Sequence, residues 1–241
     1  MPPLEPISFM FSTLLQKTHS LALRSCQFLP ERWRLPFQCW VFRVITRHER
    51  EVFNLKKIGP CRGMAVDVGA NFGLYSWCLS KLYDRVVAFE PNPQVARPLI
   101  QAKLPNVELI AHGLSSQAGN AMLWIPVSKG ITLAGWGSLD RDNLPGAEDL
   151  LEVPTQLDTL DSHHFQDVGF IKIDVEGHEL EVLRGSEQTI NKFRPHLVIE
   201  VQECHLDEAR ELLNLWKYRE VSLSSLGGGA GSPQNLIFLP D

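Results

Sequence analysis

Cysteine is scarce and unpatterned in this chain of 241 residues. Its five cysteines, Cys26, Cys39, Cys61, Cys78 and Cys204, are an odd number with no C-x-x-C pair and no close Cys/His cluster. That argues against a disulfide framework and a structural zinc centre, and for a reducing compartment. Long apolar runs are also missing: no stretch approaches the ~18 residues of a membrane-spanning helix. The opening MPPLEPISFMFSTLLQKTHSLALRS has Glu5 and Pro6 where a secretory leader carries basic residues, so the expected location is the cytoplasm. Positive charge is in deficit, with 23 Lys and Arg against 28 Asp and Glu, a formal charge of -5 that disfavours a general nucleic-acid-binding surface. What the chain does have is ordinary: 44% hydrophobic and 21% charged residues suit a folded domain rather than a collagen, a coiled coil or a disordered chain.

Length and pattern predict one large α/β domain over residues 61–241, preceded by a helical extension over 1–60. The charge is uneven: residues 1–60 hold nine Lys or Arg and four Asp or Glu, a balance of +5, which leaves -10 for the remainder. In FQCWVFRVITRHEREVFNLKKI, Phe37, Trp40, Val41, Val44 and Ile45 recur at helical steps, with Arg43, Arg47 and Arg50 on the other side. The plain expectation is a helix packed on the domain. A lid, a contact between copies of the chain or a surface for an anionic carrier are the alternatives.

From Met64 the pattern changes to short apolar runs separated by helical stretches, as in parallel βαβ units. MAVDV, RVVAFE, VELIAHGL, GFIKIDV and PHLVIEV read as strands, and YREVSL with NLIFLP as an antiparallel pair at the sheet edge. The rhythm breaks at about 115–160, where turn-rich segments surround the strand candidates AMLWIPV and LEVPTQL. Such an insertion is a usual place for substrate-binding loops. GGGAG, near the C-terminus, reads as a mobile connector.

VDVGANFG places Asp67 at the end of the first strand, Gly69 in the turn and Gly73 at the mouth of a helix, where the backbone can approach a ligand and amide donors are free. Glu90 ends the second strand 23 residues beyond Asp67, the position from which an acid accepts hydrogen bonds from ribose hydroxyls. The loop lacks the third glycine of the dinucleotide fingerprint, so a pyrophosphate cradle is disfavoured. A carboxylate at Asp67 suits a cationic amino-acid group such as that of S-adenosylmethionine.

VDVGANFGLYS, AFEPNP and FIKIDVEGHELEVLRG, in that order, resemble the three blocks of the FkbM-type methyltransferases, class I S-adenosylmethionine-dependent enzymes. The resemblance covers about Ala65 to Val201. It implies a doubly wound, mostly parallel, Rossmann-like seven-stranded sheet with its last strand antiparallel and S-adenosyl-L-methionine at the strand ends. It also implies methyl transfer to a hydroxyl of a sugar, glycolipid or secondary metabolite. By the same resemblance Asp67, Gly69, Ala70, Asn71, Gly73 and Tyr75 match the methionine-binding loop and first helix, and Glu90 with Pro91 the ribose site. Leu114 and Ser115 are left as backbone contacts to adenine, since Ser116 stands where relatives often carry an acid.

Methyl transfer to an alcohol needs alignment, worth up to ~7–11 kcal/mol in well-oriented systems, and a group that takes the proton. Asp174 ends the strand FIKIDV beside the cofactor crevice, and Glu176 follows it; both are the expected catalytic residues, with Asp174 also touching cofactor. Each has a plainer reading, Asp174 as a turn cap and Glu176 as a partner of Lys172. Glu200 ends the next strand and faces the same crevice. A proton or a divalent ion shared by Glu200 and Asp174 is left open, with no metal ligand assigned, and His112, His163, His164 and His178 read as structural. Trp124 and Trp136 are candidates to stack on a sugar. The same constellation would serve N-methylation of an amide or amine, or a degenerate fold that binds a partner through its basic N-terminal part.

Overall fold

A computed structural model of the protein describes residues 28–45, 50–128, 130–144, 147, 149–232 and 234–241. The readings that fall on residues 1–27 and on Arg47, and those on the side chains of Val44 and Ile45, lie outside what it describes. Apolar runs of four to six residues become the parallel strands β1 (Met64–Val68), β2 (Arg85–Phe89), β3 (Val107–Ile110), β8 (Val168–Ile173) and β9 (His196–Glu200), all but the edge strand β3 largely buried. β10 (Tyr218–Val221) and β11 (Asn235–Pro240) complete the sheet, in the order β10-β11-β9-β8-β1-β2-β3. β11 runs antiparallel to both its neighbours, β9 and β10.

The expected strand VELIAHGL is divided. β3 ends at Ile110, and β4 (Gly113–Leu114) leaves for a second sheet with β5 (Gly119–Ser128), β6 (Ile131–Thr132) and β7 (Asp149–Asp158). The insertion is therefore one long antiparallel hairpin, β5 on β7 from Gly119↔Leu157 to Val127↔Asp149, stitched to the main domain by the parallel β4–β7 pair.

Helices α1 (Glu31–Ile45), α2 (Leu55–Ile58), α3 (Leu74–Leu79), α4 (Arg97–Ala102), α5 (Glu179–Arg184), α6 (Glu187–Phe193) and α7 (Leu206–Leu215) cover the main sheet. Two apolar clusters result, one on each face: one around Phe89, Ile171, Leu183 and Ile199, the other around Leu35, Ala65, Leu79 and Phe170. α1 packs on the domain through Leu35, Gln38 and Cys39, and Phe42 meets Phe72 with ring centroids 6.0 Å apart. The stripe predicted from Phe37 and Trp40 points the other way: Trp40 is 59% exposed and Trp33 55%. Both faces of the helix carry apolar residues, so periodicity alone could not tell which one the domain would cover. The GGGAG loop, read as a mobile connector, has contacts to the domain at both its ends. Buried Glu51 accepts from the Ser232 amide at 2.5 Å, and Lys57 donates to the Gly227 carbonyl.

Candidate active site

A cleft with about 650 Å³ of empty volume opens at the carboxyl ends of β1, β2 and β8, the position at which open α/β sheets bind ligands. It forms because the chain turns sharply there. After β1, Gly69 (φ 77°), Asn71 (φ 51°) and Gly73 (φ 98°) reverse the backbone, and the Gly69 and Ala70 amides both donate to the Phe89 carbonyl. A Cβ on Gly69 would lie 1.7 Å from the Asp174 carbonyl oxygen, so glycine here lets the loops after β1 and β8 touch. A Cβ on Gly73 would instead press on Leu99, which makes that glycine a packing requirement of α4.

Glu90 lies in the floor, only 7% exposed, and each of its oxygens accepts a backbone amide: Oε2 from Asn71 at 2.8 Å, Oε1 from Asn92 at 2.9 Å. Burial pushes its carboxyl up to about 7, the amides hold it from rising further, and the charges of Asp67 and Asp174 add to the rise. Asp67 sits one layer below, where the Ser76 hydroxyl donates to it at 2.5 Å; burial raises it to about 6 against the pull of Ser76 and Lys172. Both carboxyls bind protons more tightly folded than unfolded, where ~3.9 for Asp and ~4.3 for Glu apply. Their contribution to stability is thus complete below pH ~4 and lost as pH rises through about 7. Thermal denaturation of the free protein from pH 5 to 8 is expected to show this decline, and a shallower one in Glu90→Gln; identical slopes would remove Glu90 as its source.

The loop after β8 carries the opposite wall. Asp174 is held by its amide on the Val68 carbonyl at 3.0 Å, and Lys172 Nζ stands 3.6 Å from its carboxylate. Lys172 is 1% exposed, donates to Asn235 Oδ1 at 3.2 Å and lies 5.0 Å from the centre of the Tyr75 ring. Glu176 projects at the rim from a left-handed backbone (φ 53°), and confinement in the cleft, then the charges of Asp174, Glu200 and Glu179, raise its carboxyl above the usual range. Glu200, expected to face the same crevice, does not line the cleft, though burial and the charge of Asp174 raise its carboxyl. The cleft therefore gathers raised carboxyls near one buried lysine, groups whose ionised form a cationic ligand would favour.

Much of the roof comes from the insertion. Asn71 Nδ2 donates to the Gly135 carbonyl at 3.1 Å, Asn92 Nδ2 to the Ala134 carbonyl at 3.2 Å, and the Ser138 hydroxyl to the Glu176 carbonyl at 2.9 Å. The loop between β6 and β7 is thus pinned to the segments after β1, β2 and β8. On the far side His112 and His163 both contact Asp158, at 2.7 and 3.2 Å, and His112 also lines the cleft. His178 Nε2 lies 3.0 Å from Ser115 Oγ, which makes it a partly buried brace between α5 and the end of β4.

Of the residues singled out from sequence, Gly69, Asn71, Glu90, Pro91, Leu114, Asp174 and Glu176 line the cleft. Asp67, Ala70, Gly73, Tyr75 and Ser115 are buried behind its wall. Among the described residues no group of three or more His, Cys, Asp or Glu side chains could hold a metal ion. Sequence reasoning passed over Asn92 and Lys172 as functional groups, and the carbonyl clamp at Ala134 and Gly135. Lysine in the middle of the apolar run FIKIDV was the available signal for Lys172, because a buried ammonium needs partners. Nothing local marks the clamp, whose donors are 42 and 64 residues away in the chain.

A family model described as the methyltransferase FkbM domain matches residues 67–220. Hexuronic acid methyltransferase AglP of Haloferax volcanii is 28% identical over 141 residues, 56% of this chain and 54% of its own. Methyltransferase sdnD of Sordaria araneosa is 28% identical over 193 residues, 66% of this chain and 73% of its own. Among solved structures, the methyltransferase FkbM of Methylobacillus flagellatus matches 86% of this chain and 52% of that one, with a TM-score of 0.54 at 14% identity, which is a likeness of fold. The chain spans about half the length of AglP and of the solved Methylobacillus chain.

Proposed function

The chain belongs to the FkbM methyltransferase family, and from that premise we propose that it O-methylates a hydroxyl of a sugar, glycolipid or secondary metabolite in the cytoplasm. The cofactor is S-adenosyl-L-methionine, which supplies an electrophilic methyl group carried on a sulfonium. The observation that carries the reading is the pairing, across one cleft, of Glu90 under the glycine loop with Asp174 and Glu176 at the end of β8.

The residues fit that cofactor. Glu90 keeps lone pairs beyond those taken by two amides, so it can accept from paired hydroxyls in the floor. The cleft is lined by the carboxyls of Glu90, Asp174 and Glu176, which a cationic ligand would favour in their ionised form. Gly69 and Asn71 would bound the amino-acid end, and the backbone at Leu114 and Ser115 the base. Asp174 orients the acceptor hydroxyl and takes its proton, with Lys172 3.6 Å behind to hold the carboxylate in place. Glu176, which lines the cleft, keeps its proton at neutral pH more readily than an ordinary carboxyl and is suited to hydrogen-bonding the acceptor.

A sugar acid or its glycoside is the first acceptor class to test, since AglP is named for a hexuronic acid. Trp136, 48% exposed on the clamped loop beside two cleft-lining glycines, offers a face to a sugar ring. The experiment is incubation of purified protein with methyl-labelled S-adenosylmethionine and a panel of uronic acids, neutral glycosides and amines, read by mass spectrometry. Label on a hydroxyl supports the proposal. Label on nitrogen overturns the choice of acceptor atom, and a calorimetric titration in which the cofactor does not bind overturns the enzyme itself. Within that titration Glu90→Ala is expected to weaken binding by roughly 1.5–3 kcal/mol per lost bond to the charged acceptor. Unchanged affinity in a folded Glu90→Ala protein would take Glu90 out of the site.

A further inference from the structure

We propose that the outer face of α1, with the groove beside it, docks the protein on an anionic phospholipid bilayer. The groove lies between α1, α2 and α3, shares no lining residue with the cleft, and has about 880 Å³ of empty volume. Trp40, Phe53 and Trp77 line it together with Arg43, Lys56 and Lys81, and among the described residues no Asp or Glu does. Beside it the exposed face of α1 carries Trp33 and Trp40, 55% and 59% exposed, with Phe37 against Trp40 at 6.0 Å and Phe28, 84% exposed, just before the helix. Aromatic rings and cations are interleaved: Arg32 lies over Trp33, Arg43 over Phe53 and Lys81 over Trp77.

This composition meets both halves of an interfacial surface. Aromatic rings sit at the level of lipid head groups, and basic side chains beside them are drawn to anionic lipid. Charge decides between occupants. A second copy docked face to face would bring Arg43, Lys56 and Lys81 of both copies together without a counter-charge. Residues 1–27 carry Lys17 and Arg24 against Glu5 and are no complement to a basic groove. A bilayer supplies apolar depth and negative charge at once, and no helix of the described residues is long and apolar enough to cross it. α1 also touches the cofactor loop through Phe42 on Phe72, so a docked face adjoins an element of the cleft.

The test is sedimentation of the full chain with vesicles of phosphatidylcholine alone and of phosphatidylcholine mixed with phosphatidylglycerol. Binding is expected to the mixed vesicles only, to fall with salt, and to weaken at least about tenfold in Arg43→Glu/Lys81→Glu. Trp33→Ala/Trp40→Ala should lose binding while keeping its circular dichroism and its affinity for S-adenosylmethionine, because both side chains are exposed. Equal binding to neutral vesicles, or no loss in either variant, overturns the proposal. So does a dimer on gel filtration that dissociates in Trp33→Ala/Trp40→Ala without any vesicle binding, which would make the face a contact between copies. Competition by soluble glycerol 3-phosphate without vesicle binding would reduce it to an anion site and overturn it as well.

Discussion

Gly69→Val is expected to abolish cofactor binding and to destabilise the fold by about 3 kcal/mol or more. Two costs combine. The backbone there has φ 77°, a conformation that a β-branched residue adopts only under strain. The new Cβ would also overlap the Asp174 carbonyl oxygen, which it would approach to 1.7 Å, and backbone atoms cannot step aside as a side-chain tip can. Gly69→Ala places the same Cβ without the branch, so it should still displace the loop after β8 and lower affinity by at least about tenfold. Calorimetry on Gly69→Ala, with its melting temperature measured alongside, checks this. An alanine variant that binds S-adenosylmethionine like the parent would show that the two loops are free to separate, and the argument from their contact would fail.

Asp174→Asn is expected to lower turnover on the true acceptor about 10²-fold or more while stability changes little. The substitution keeps shape and removes the charge that faces the cleft and Lys172. Lys172 retains Asn235 and the Ile173 carbonyl as partners, so the variant leaves no bare ammonium in the core. Cofactor affinity should move less than turnover. If the two fall together, Asp174 belongs to the binding of cofactor and its role in proton removal is wrong. Should activity survive, Glu176 and Glu200 are the nearest replacements. Their carboxyls are raised by burial and by neighbouring acids, Asp174 among them, so residual turnover would climb with pH as they lose their protons, at a lower pH than with the Asp174 charge in place.

The alternation of apolar runs and helical stretches, the loop VDVGANFG and the strand-end acids were legible in the sequence because each is a local matter. A strand buried on both faces must be apolar throughout, a left-handed turn favours glycine or asparagine, and a carboxylate at a strand end needs only its position in the run. Those rules gave β1, β2, β8 and β9, the turn at Gly69 and the placement of Glu90 and Asp174 in one crevice. Tertiary structure alone decided the rest. Which face of α1 the domain covers depended on what Leu35 and Cys39 would meet, because aromatic residues on the opposite face gave the helix a second apolar stripe. VELIAHGL was divided between two sheets because Gly113 and Leu114 pair with β7, more than 40 residues onward. The roof of the cleft rests on Asn71 and Asn92 donating to carbonyls of a loop with no apolar period to announce it. A backbone carbonyl is the same in every residue, so no sequence pattern could mark which ones would be grasped.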